Sequence, residues 1–507
     1  MNYNSILKGQ RAVKNYEGAQ AWALSDELEL YSAVVTASLS DSFYEKQDER
    51  VERICNLVSK VNPEFVAKLA VYARNEMHLR SIPLLLVVEL AKVHSGDDLV
   101  SRTVDKVVQR ADEIMELLMC YQWRNPSGDS IKKLKSLSKQ ISKGLKSAFN
   151  RFDEYQFAKY NRSNLDVKLR DALFIVHPKA KDEAQQAIFD KIANDTLETP
   201  YTWEVEFSAL GQKNFKNEAA KQRAFARKWE ELIASERVGY MALMRNLRNM
   251  LEADVDIRSL DAVCARLSDP VQVAKSKQLP FRYLSAYREM EKINHVGVKT
   301  VMNALEEAVK ASAVNITGFG DRTRVLIASD VSGSMMYPIS QRSSVEQYDV
   351  GLLLSMIFRY SCKQVVSGIF GDRWEAVNFP GNDILYATSR LRNMEGRVGY
   401  STNGYKVIDW LVDNRIVMDK VMMFTDCQLW NSRSNGASFE KSWKEYKNMA
   451  PHAKLYLFDL AGYGNTPISV MNDDVYFIAG WSDRIFDVLD ALENGSTALD
   501  VIMKMKL

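Results

Sequence analysis

The sequence is poor in the residues that build disulfide frameworks, zinc sites and histidine-based active sites. Its 507 residues include five cysteines and five histidines. The cysteines are scattered without a Cys-x-x-Cys pair, at Cys55, Cys120, Cys264, Cys362 and Cys427. This spacing argues against a disulfide framework and against a structural zinc site. The few histidines lie away from the polar loops described below, which leaves a Ser–His catalytic dyad little support.

Long apolar runs and an excess of one charge are also absent. No stretch of eighteen apolar residues occurs, and the N-terminus lacks the apolar core of a signal peptide. We therefore expect a cytoplasmic protein without a membrane span. The 67 Lys and Arg residues nearly balance the 65 Asp and Glu residues. A net charge of +2 excludes no class of partner, because a neutral chain can still carry one basic face.

The first three-fifths of the chain has the pattern of a helical protein. The apolar fraction of 46% is that of a globular chain. A chain of 507 residues is too long for a single hydrophobic core, so two or more domains are expected. From residue 28 to about 310, apolar residues recur at intervals of three and four, as over residues 65–79, 83–94 and 104–121. This period predicts helices, and their short connectors favour antiparallel helix pairs stacked as an α-solenoid.

The pattern changes near residue 316. Short apolar segments now alternate with helical ones, and we predict strands over residues 325–329, 365–370, 420–424, 454–459 and 475–478. Alternation at this spacing predicts a doubly wound parallel sheet with helices on both faces. We therefore predict a helical domain over residues 1–318 and an α/β domain over residues 319–507.

Oxygen-bearing side chains follow two of the predicted strands. The strand over residues 325–329 leads into Asp330, Ser332 and Ser334, and the strand over residues 420–424 leads to Asp426. A loop between these strands in the chain adds Thr402. Open α/β sheets bind ligands beyond the carboxyl ends of their strands. Oxygen donors without Cys or His suit a hard divalent cation, and Mg²⁺ is the expected occupant.

Two other interpretations of the first loop stay open. A strand followed by a plain polar turn needs no ligand at all. A nucleophilic Ser332 is the second alternative, but the Gly-x-Ser-x-Gly elbow is absent around it. If a cation binds, hydroxyl donors leave it with net positive charge, so that an acidic group of a partner could complete its shell.

A basic segment lies in the helical part. Residues 130–170 hold eleven Lys or Arg and three Asp or Glu, and no acidic residue occurs between 130 and 152. Five lysines at helical spacing share one face, namely Lys132, Lys135, Lys139, Lys143 and Lys146. Lys159, Arg162 and His177 follow, interleaved with Tyr155 and Tyr160. Cations with interleaved rings favour single-stranded RNA binding, while a solvated basic face is the alternative.

Several stretches carry a resemblance to a known family. They are Asn15-Tyr-Glu-Gly, Phe65-Val-Ala-Lys-Leu-Ala-Val-Tyr-Ala-Arg74, Tyr155-Gln-Phe-Ala-Lys-Tyr160 and Ala242-Leu-Met-Arg-Asn-Leu-Arg-Asn249. Together they resemble the TROVE family (telomerase, Ro and vault) and in particular its Ro autoantigen branch. The segment after residue 321 resembles von Willebrand factor A domains with a metal-ion-dependent adhesion site.

The second resemblance implies roles for the residues of the metal site. In the pattern of von Willebrand factor A domains, Ser332, Ser334 and Thr402 would touch the cation. Asp330 and Asp426 would act largely through water and through hydrogen bonds to the ligands. Asn403 stands where relatives tend to carry an aspartate.

The TROVE resemblance implies a monomeric, ring-like domain of HEAT-like α-helical repeats that precedes the von Willebrand factor A domain. Such a ring would bind Y-like small noncoding RNA outside and single-stranded 3′ ends of misfolded or unprocessed RNAs in its cavity. By position within the motif, Lys159, Arg162 and His177 would contact RNA, with the lysine face in support. We expect no enzymatic activity, but a role in RNA quality control, maturation or stress response beside an exoribonuclease such as polynucleotide phosphorylase. The alternative function is a metal-dependent protein-docking scaffold without an RNA role.

Overall fold

The computed structural model describes residues 10–37, 44–126, 137–161, 165–313, 319–339, 343–379, 381–430, 438–470 and 472–507. The chain forms two compact units. One comprises Met1–Val51 with Phe215–Ala498, and the other comprises Glu52–Asn214 with Leu499–Leu507. Both units are discontinuous in sequence, so the division into domains after residue 318 stays a prediction.

The helical region begins after two short strands, β1 (Ala12–Lys14) and β2 (Gln20–Ala23). Its helices in the described ranges are α1 (Asp26–Val35), α2 (Gln47–Val58), α3 (Pro63–Asn75), α4 (Ser81–Val93), α5 (Leu99–Val107), α6 (Ala111–Arg124), α7 (Lys139–Phe149), α8 (Glu154–Tyr160), α9 (Leu169–Val176), α10 (Glu183–Asn194), α11 (Trp203–Gly211), α12 (Glu218–Ala234), α13 (Tyr240–Arg245), α14 (Leu247–Glu252), α15 (Ile257–Ser268), α16 (Pro270–Ser276), α17 (Pro280–Glu291) and α18 (Val298–Ser312). In these ranges no helix is long and apolar enough to cross a membrane.

Helix α3 illustrates how the local sequence produces these elements. The side chain of Asn62 accepts a hydrogen bond from the backbone N–H of Glu64, and Pro63 occupies the first turn, where its missing N–H costs nothing. Phe65 and Leu69 lie four residues apart on the buried face. The predicted helical character of residues 28–310 is confirmed. Strands β1 and β2 precede that range and were not predicted.

The α/β part contains β3 (Arg324–Asp330), α19 (Gln347–Tyr360), β4 (Gln364–Phe370), β5 (Trp374–Ala376), α20 (Ile384–Arg392), α21 (Tyr405–Asp413), β6 (Lys420–Thr425), α22 (Phe439–Met449), β7 (Lys454–Asp459), β8 (Asn465–Thr466), β9 (Val475–Ala479), α23 (Ile485–Glu493) and α24 (Ala498–Met503). The main sheet has the order β5-β4-β3-β6-β7-β9, and all of its neighbours are parallel except β5, which pairs antiparallel with β4. The predicted fold class, a helical region followed by an α/β domain, is confirmed.

The order of this sheet places β3 between β4 and β6. Strands β4 and β6 both follow β3 in the chain, but they lie on its two opposite sides. The strand order therefore reverses at β3. A crevice at the carboxyl edge of the sheet is expected at such a reversal of strand order. The antiparallel edge strand β5 and the two-residue strand β8, which pairs with β2, were not predicted.

Candidate metal centre and basic surface

Two neighbouring strands place Asp330 beside Thr425. Strands β3 and β6 are parallel, and Ser329 lies opposite Phe424. The next residues, Asp330 and Thr425, therefore lie side by side at the carboxyl edge of the sheet. The Thr425 hydroxyl donates a 2.7 Å hydrogen bond to Oδ2 of Asp330, whose Oδ1 accepts the N–H of Ser332 at 2.9 Å.

Backbone hydrogen bonds join the three predicted loops. The N–H of Gly333 in the first loop donates to the carbonyl of Tyr400 in the second at 2.9 Å. The N–H of Trp430 in the third loop donates to the carbonyl of Thr402 at 2.9 Å. The second loop also approaches the end of β4 closely, because a Cβ at Gly371 would lie 2.1 Å from the carbonyl oxygen of Gly399. All five residues predicted for the metal site are thereby collected at one edge.

The oxygen atoms of these loops are buried, and some of them lack a hydrogen-bond partner among the described residues. The hydroxyl oxygens of Ser332 and Ser334 are 3.3 Å apart. Oδ1 of Asp426 accepts the N–H of Gln428 at 2.8 Å. By contrast, Oδ2 of Asp426 and the hydroxyl of Thr402 are buried without a partner among the described residues. Buried polar atoms are normally paired, so these two are available for a ligand.

Burial makes both aspartates resist ionisation. Desolvation raises the pKa of Asp330, although hydrogen bonds from Thr425 and Ser332 offset part of that effect. Desolvation also raises the pKa of Asp426, and the negative charge of Asp330 raises it further. Two neighbouring buried carboxyl groups of this kind are an environment that a divalent cation would stabilise in the charged form.

The donor set fits a hard cation. Nowhere in the described ranges do three or more His, Cys, Asp or Glu side chains gather as they would around a metal that prefers those ligands. The site instead combines three hydroxyls with two carboxylates, which suits Mg²⁺ and similar ions. Oδ1 of Asn403 is a further buried oxygen without a described partner, while its Nδ2 donates to the carbonyl of Asp372 at 3.2 Å.

The basic face lies on α7. Lys139, Lys143 and Lys146 are exposed, and Ile141 and Leu145 of the same helix are buried. None of the three lysines forms an ion pair with another described residue. The predicted shared face is thus present over these three positions. Lys132, Lys135 and Arg162 of the same prediction lie outside the described residues.

Aromatic rings of α8 and α9 lie under cations, and two of these rings, Tyr155 and Phe174, are exposed. The Lys159 ammonium is 5.6 Å from the ring centroid of Tyr155 and 5.7 Å from that of Tyr160. The ring of Tyr160 also lies under the guanidinium of Arg110, at 4.4 Å from the ring centroid. The guanidinium of Arg170 is 5.8 Å from the ring centroid of Phe174. Rings that carry a cation can stack on a base while the cation meets a phosphate.

His177 ends helix α9. Its backbone has a left-handed conformation with φ of 49°, and its N–H donates to the carbonyl of Leu173 at 2.9 Å. The imidazole is exposed. The backbone of His177 therefore caps the helix while its side chain stays accessible to a ligand, and a role in RNA contact stays a prediction.

A second basic site was missed by the sequence analysis. A cavity of 440 Å³ is lined by Met241, Arg245, Arg248, Arg282 and Glu289 among others. Arg248 pairs with Glu252 at 2.7 Å, whereas Arg245 and Arg282 form no ion pair with a described residue. Burial and the charge of Arg245 lower the pKa of Arg282. The stretch around Arg245 and Arg248 supported the family resemblance, but nothing in its spacing pointed to Arg282.

Family models match most of the chain. The TROVE domain model matches residues 25–228 and 197–338, and the Ro60 vWA domain model matches residues 324–492. The chain belongs to the TROVE family, in the branch that carries a Ro60-type von Willebrand factor A domain. Members of this family are generally RNA-binding ribonucleoprotein components, and von Willebrand factor A domains often bind a divalent metal.

The similar proteins support the same assignment. Telomerase protein component 1 of Mus musculus is 24% identical over 47% of this chain, and that of Rattus norvegicus is 24% identical over 48%. The chain spans only 12% of the length of these curated relatives. The crystal structure of the Deinococcus radiodurans RO (RSR) protein has the same fold, with a TM-score of 0.59 and 19% identity over 93% of this chain and 100% of that one.

Proposed function

We propose that this protein is a non-catalytic RNA-binding component of a cytoplasmic ribonucleoprotein. It binds Y-like small noncoding RNA and the single-stranded 3′ ends of misfolded or unprocessed RNAs. In this role it serves RNA quality control, maturation or the stress response, and it presents defective ends to an exoribonuclease such as polynucleotide phosphorylase. The relatedness to a Ro protein supports this proposal at the level of the family.

The observation that carries the proposal is the unneutralised basic face of α7. Lys139, Lys143 and Lys146 are exposed and form no ion pair with a described residue. A lysine that is not neutralised within the protein gains most from a phosphate, since it releases a condensed counterion from the RNA. The exposed rings of Tyr155 and Phe174 offer stacking surfaces for unpaired bases.

Salt-dependent binding tests this proposal. The variant K139Q/K143Q/K146Q should bind an RNA with a free single-stranded 3′ tail more weakly than the parent protein. The slope of log K against log salt should fall by about 2, at roughly 0.7 per lost phosphate contact. The matched control K68Q/K92Q/K191Q removes the same charge from lysines that are paired with Glu64, Glu89 and Glu154.

Binding can be followed by fluorescence anisotropy of a labelled oligonucleotide. The control variant should keep the parent slope, because its lysines are already neutralised within the protein. Equal slopes for all three proteins would remove the α7 face from the proposal. No measurable RNA binding by the parent protein at low salt would overturn the proposed function.

A second candidate function is cation-dependent docking of a protein partner. The unpaired buried oxygens of Thr402 and Asp426 favour it. Ser332, Ser334 and Thr402 would hold Mg²⁺, with Asp330 and Asp426 behind them. The bound cation would supply a positive charge that an acidic partner group can approach.

Thermal unfolding tests the cation site. Mg²⁺ at about a hundredfold excess over its Kd should stabilise the parent protein by about 2.7 kcal/mol, because it binds only the folded state. Asp426→Asn should clearly reduce this stabilisation, because loss of a group behind the ligands typically lowers metal affinity by about 10- to 100-fold. The same variant should unfold at a higher temperature than the parent in EDTA, since it removes one of two buried carboxyls. An undiminished Mg²⁺ response in Asp426→Asn would contradict the site.

A further inference from the structure

The N-terminal segment packs on the edge of the sheet that carries the metal centre. The hydroxyl of Ser32 in α1 donates a 2.5 Å hydrogen bond to Asp459 at the end of β7. The Tyr31 hydroxyl donates to the carbonyl of Ala479 at the end of β9 at 3.0 Å. Gly462 has φ of 71°, and a Cβ there would lie 2.2 Å from the Thr36 hydroxyl, so glycine is required for this close approach.

The turn between β1 and β2 is attached to the loop that bears Asp426. Nδ2 of Asn15 donates to the carbonyl of Leu429 at 2.8 Å, and the N–H of Tyr16 donates to Oε1 of Gln428 at 3.0 Å. The N–H of the same Gln428 donates to Asp426. Glu17 is the next residue of this turn, so its backbone follows directly on the contact with the loop that bears Asp426.

Tyr44 connects Glu17 to the residues of the metal centre. Its ring stacks on Tyr16 with centroids 5.0 Å apart, and its hydroxyl donates to Oε1 of Glu17. Burial raises the pKa of Tyr44, and the hydrogen bond to Glu17 and the charge of Asp426 raise it further, while a hydrogen bond with Ser334 lowers it. The Tyr44 hydroxyl thus bonds a carboxylate of the N-terminal segment and interacts with Ser334, a residue predicted to bind the cation.

We propose that Tyr44 and Glu17 form a built-in cap on the metal centre, on the side from which an acidic partner group would reach the cation. The inference rests on the cation site proposed above. The cap supplies what a docking partner would bring, namely a carboxylate held by a hydrogen bond beside Ser334. An external carboxylate therefore has to displace the Tyr44–Glu17 pair before it can bind.

Relaxation of water protons by bound Mn²⁺ tests the cap, because it reports how many exchangeable waters the ion keeps. Acetate serves as the external carboxylate. In the full-length parent protein, acetate should leave the relaxation enhancement unchanged. In Tyr44→Ala the enhancement should be about twofold larger, as at least one further water reaches the ion, and acetate should lower it.

Glu17→Gln is the second variant, because it keeps the side-chain volume and the stacked rings of Tyr16 and Tyr44. It should respond to acetate in the same direction as Tyr44→Ala. The matched control is Glu440→Gln, which neutralises a carboxylate that accepts a 3.3 Å hydrogen bond from Trp22, another contact of the N-terminal segment, and should behave as the parent.

The outcomes separate the cap from the cation site. If Mn²⁺ binds the parent but not Asp330→Ala, and the parent, Tyr44→Ala and Glu17→Gln respond equally to acetate, the cap is wrong and the cation site stands. If the parent shows no more enhancement than Asp330→Ala, both the cation site and the cap are overturned.

Discussion

The hydroxyl of Thr425 donates a 2.7 Å hydrogen bond to Oδ2 of Asp330, across the ends of two adjacent parallel strands. This bond orients the aspartate that lies behind Ser332 and Ser334. Because Thr425 is fully buried, no water can replace it as a donor. The register of β3 and β6 therefore supplies one of the two hydrogen bonds that hold Asp330, and the N–H of Ser332 supplies the other.

Thr425→Val should weaken cation binding without touching a predicted metal ligand. Valine keeps the shape of threonine but leaves Asp330 without this donor, and loss of such an outer hydrogen bond typically lowers metal affinity by about 10- to 100-fold. A Mn²⁺ titration measures the change. Ser355→Ala is the control, since it removes a buried hydroxyl that bonds Ser329 at 2.9 Å inside the domain. Equal weakening by both variants would indicate a general loss of packing.

Asn403→Asp should strengthen cation binding. Oδ1 of Asn403 is a buried oxygen without a described partner beside Thr402, and a carboxylate there adds a negative charge to the site. We expect about a tenfold gain in affinity for Mn²⁺. In EDTA the same variant should unfold at a lower temperature than the parent, because a third carboxyl is buried. An unchanged affinity would place Asn403 outside the cation's surroundings.

Tyr155→Ala should weaken binding to single-stranded RNA by about 1–3 kcal/mol, the usual contribution of one stacked base. The Tyr155 ring is 44% exposed and lies under Lys159. Stacking does not release counterions, so the salt dependence measured by fluorescence anisotropy should not change. Tyr386→Ala, at a ring that is 51% exposed on α20, is the control and should bind as the parent does.

Arg282→Gln tests the arginine-lined cavity as an additional phosphate site. Arg245 and Arg282 repel each other and form no ion pair with a described residue, so a phosphate would relieve that repulsion. The variant should bind RNA more weakly, with a salt slope lower by about 0.7 for one lost contact. Arg258→Gln removes an exposed arginine outside the cavity and should leave the slope unchanged. An unchanged slope for Arg282→Gln as well would exclude the cavity.

The stability of the α1 contact should depend on pH through Asp459. Burial raises the pKa of this carboxyl in the folded state, although its hydrogen bond from Ser32 opposes the shift. A carboxyl with a raised folded pKa contributes stability that is fully present below its unfolded pKa. This stability is lost as the pH rises from that value through the folded pKa, by up to about 1.4 kcal/mol per pH unit.

The unfolding midpoint of Asp459→Asn should therefore fall less than that of the parent protein as the pH rises above about 4. Denaturant unfolding at a series of pH values, in EDTA, measures the difference. The same slope for both proteins would show that Asp459 does not titrate with a raised pKa. Glu183→Gln, at an exposed carboxyl in the first turn of α10, is the control for a general charge effect.

Most helices and strands could be predicted from local sequence patterns. The apolar run before Asp330 is β3, and four further predicted strands match β4, β6, β7 and β9 to within two residues. The short strands β5 and β8 were missed, because two or three residues have no period to detect. Periodicity likewise indicated the lysine face of α7, but it could not indicate that Arg245 and Arg282 line the same cavity.

The amino-acid pattern was enough to determine the class of the fold and to indicate which loops carry the oxygen donors of the proposed metal site. Apolar period and turn residues act over a few positions, and they place Asp330 and Asp426 at the ends of strands. Which other segments contact those loops depends on the tertiary structure. Asn15 bonds a carbonyl 414 residues away, and Ser32 bonds Asp459 across 427 residues. Such contacts depend on packing between distant segments, which leaves no repeating pattern along the chain, and so the cap formed by Tyr44 and Glu17 became apparent only in three dimensions.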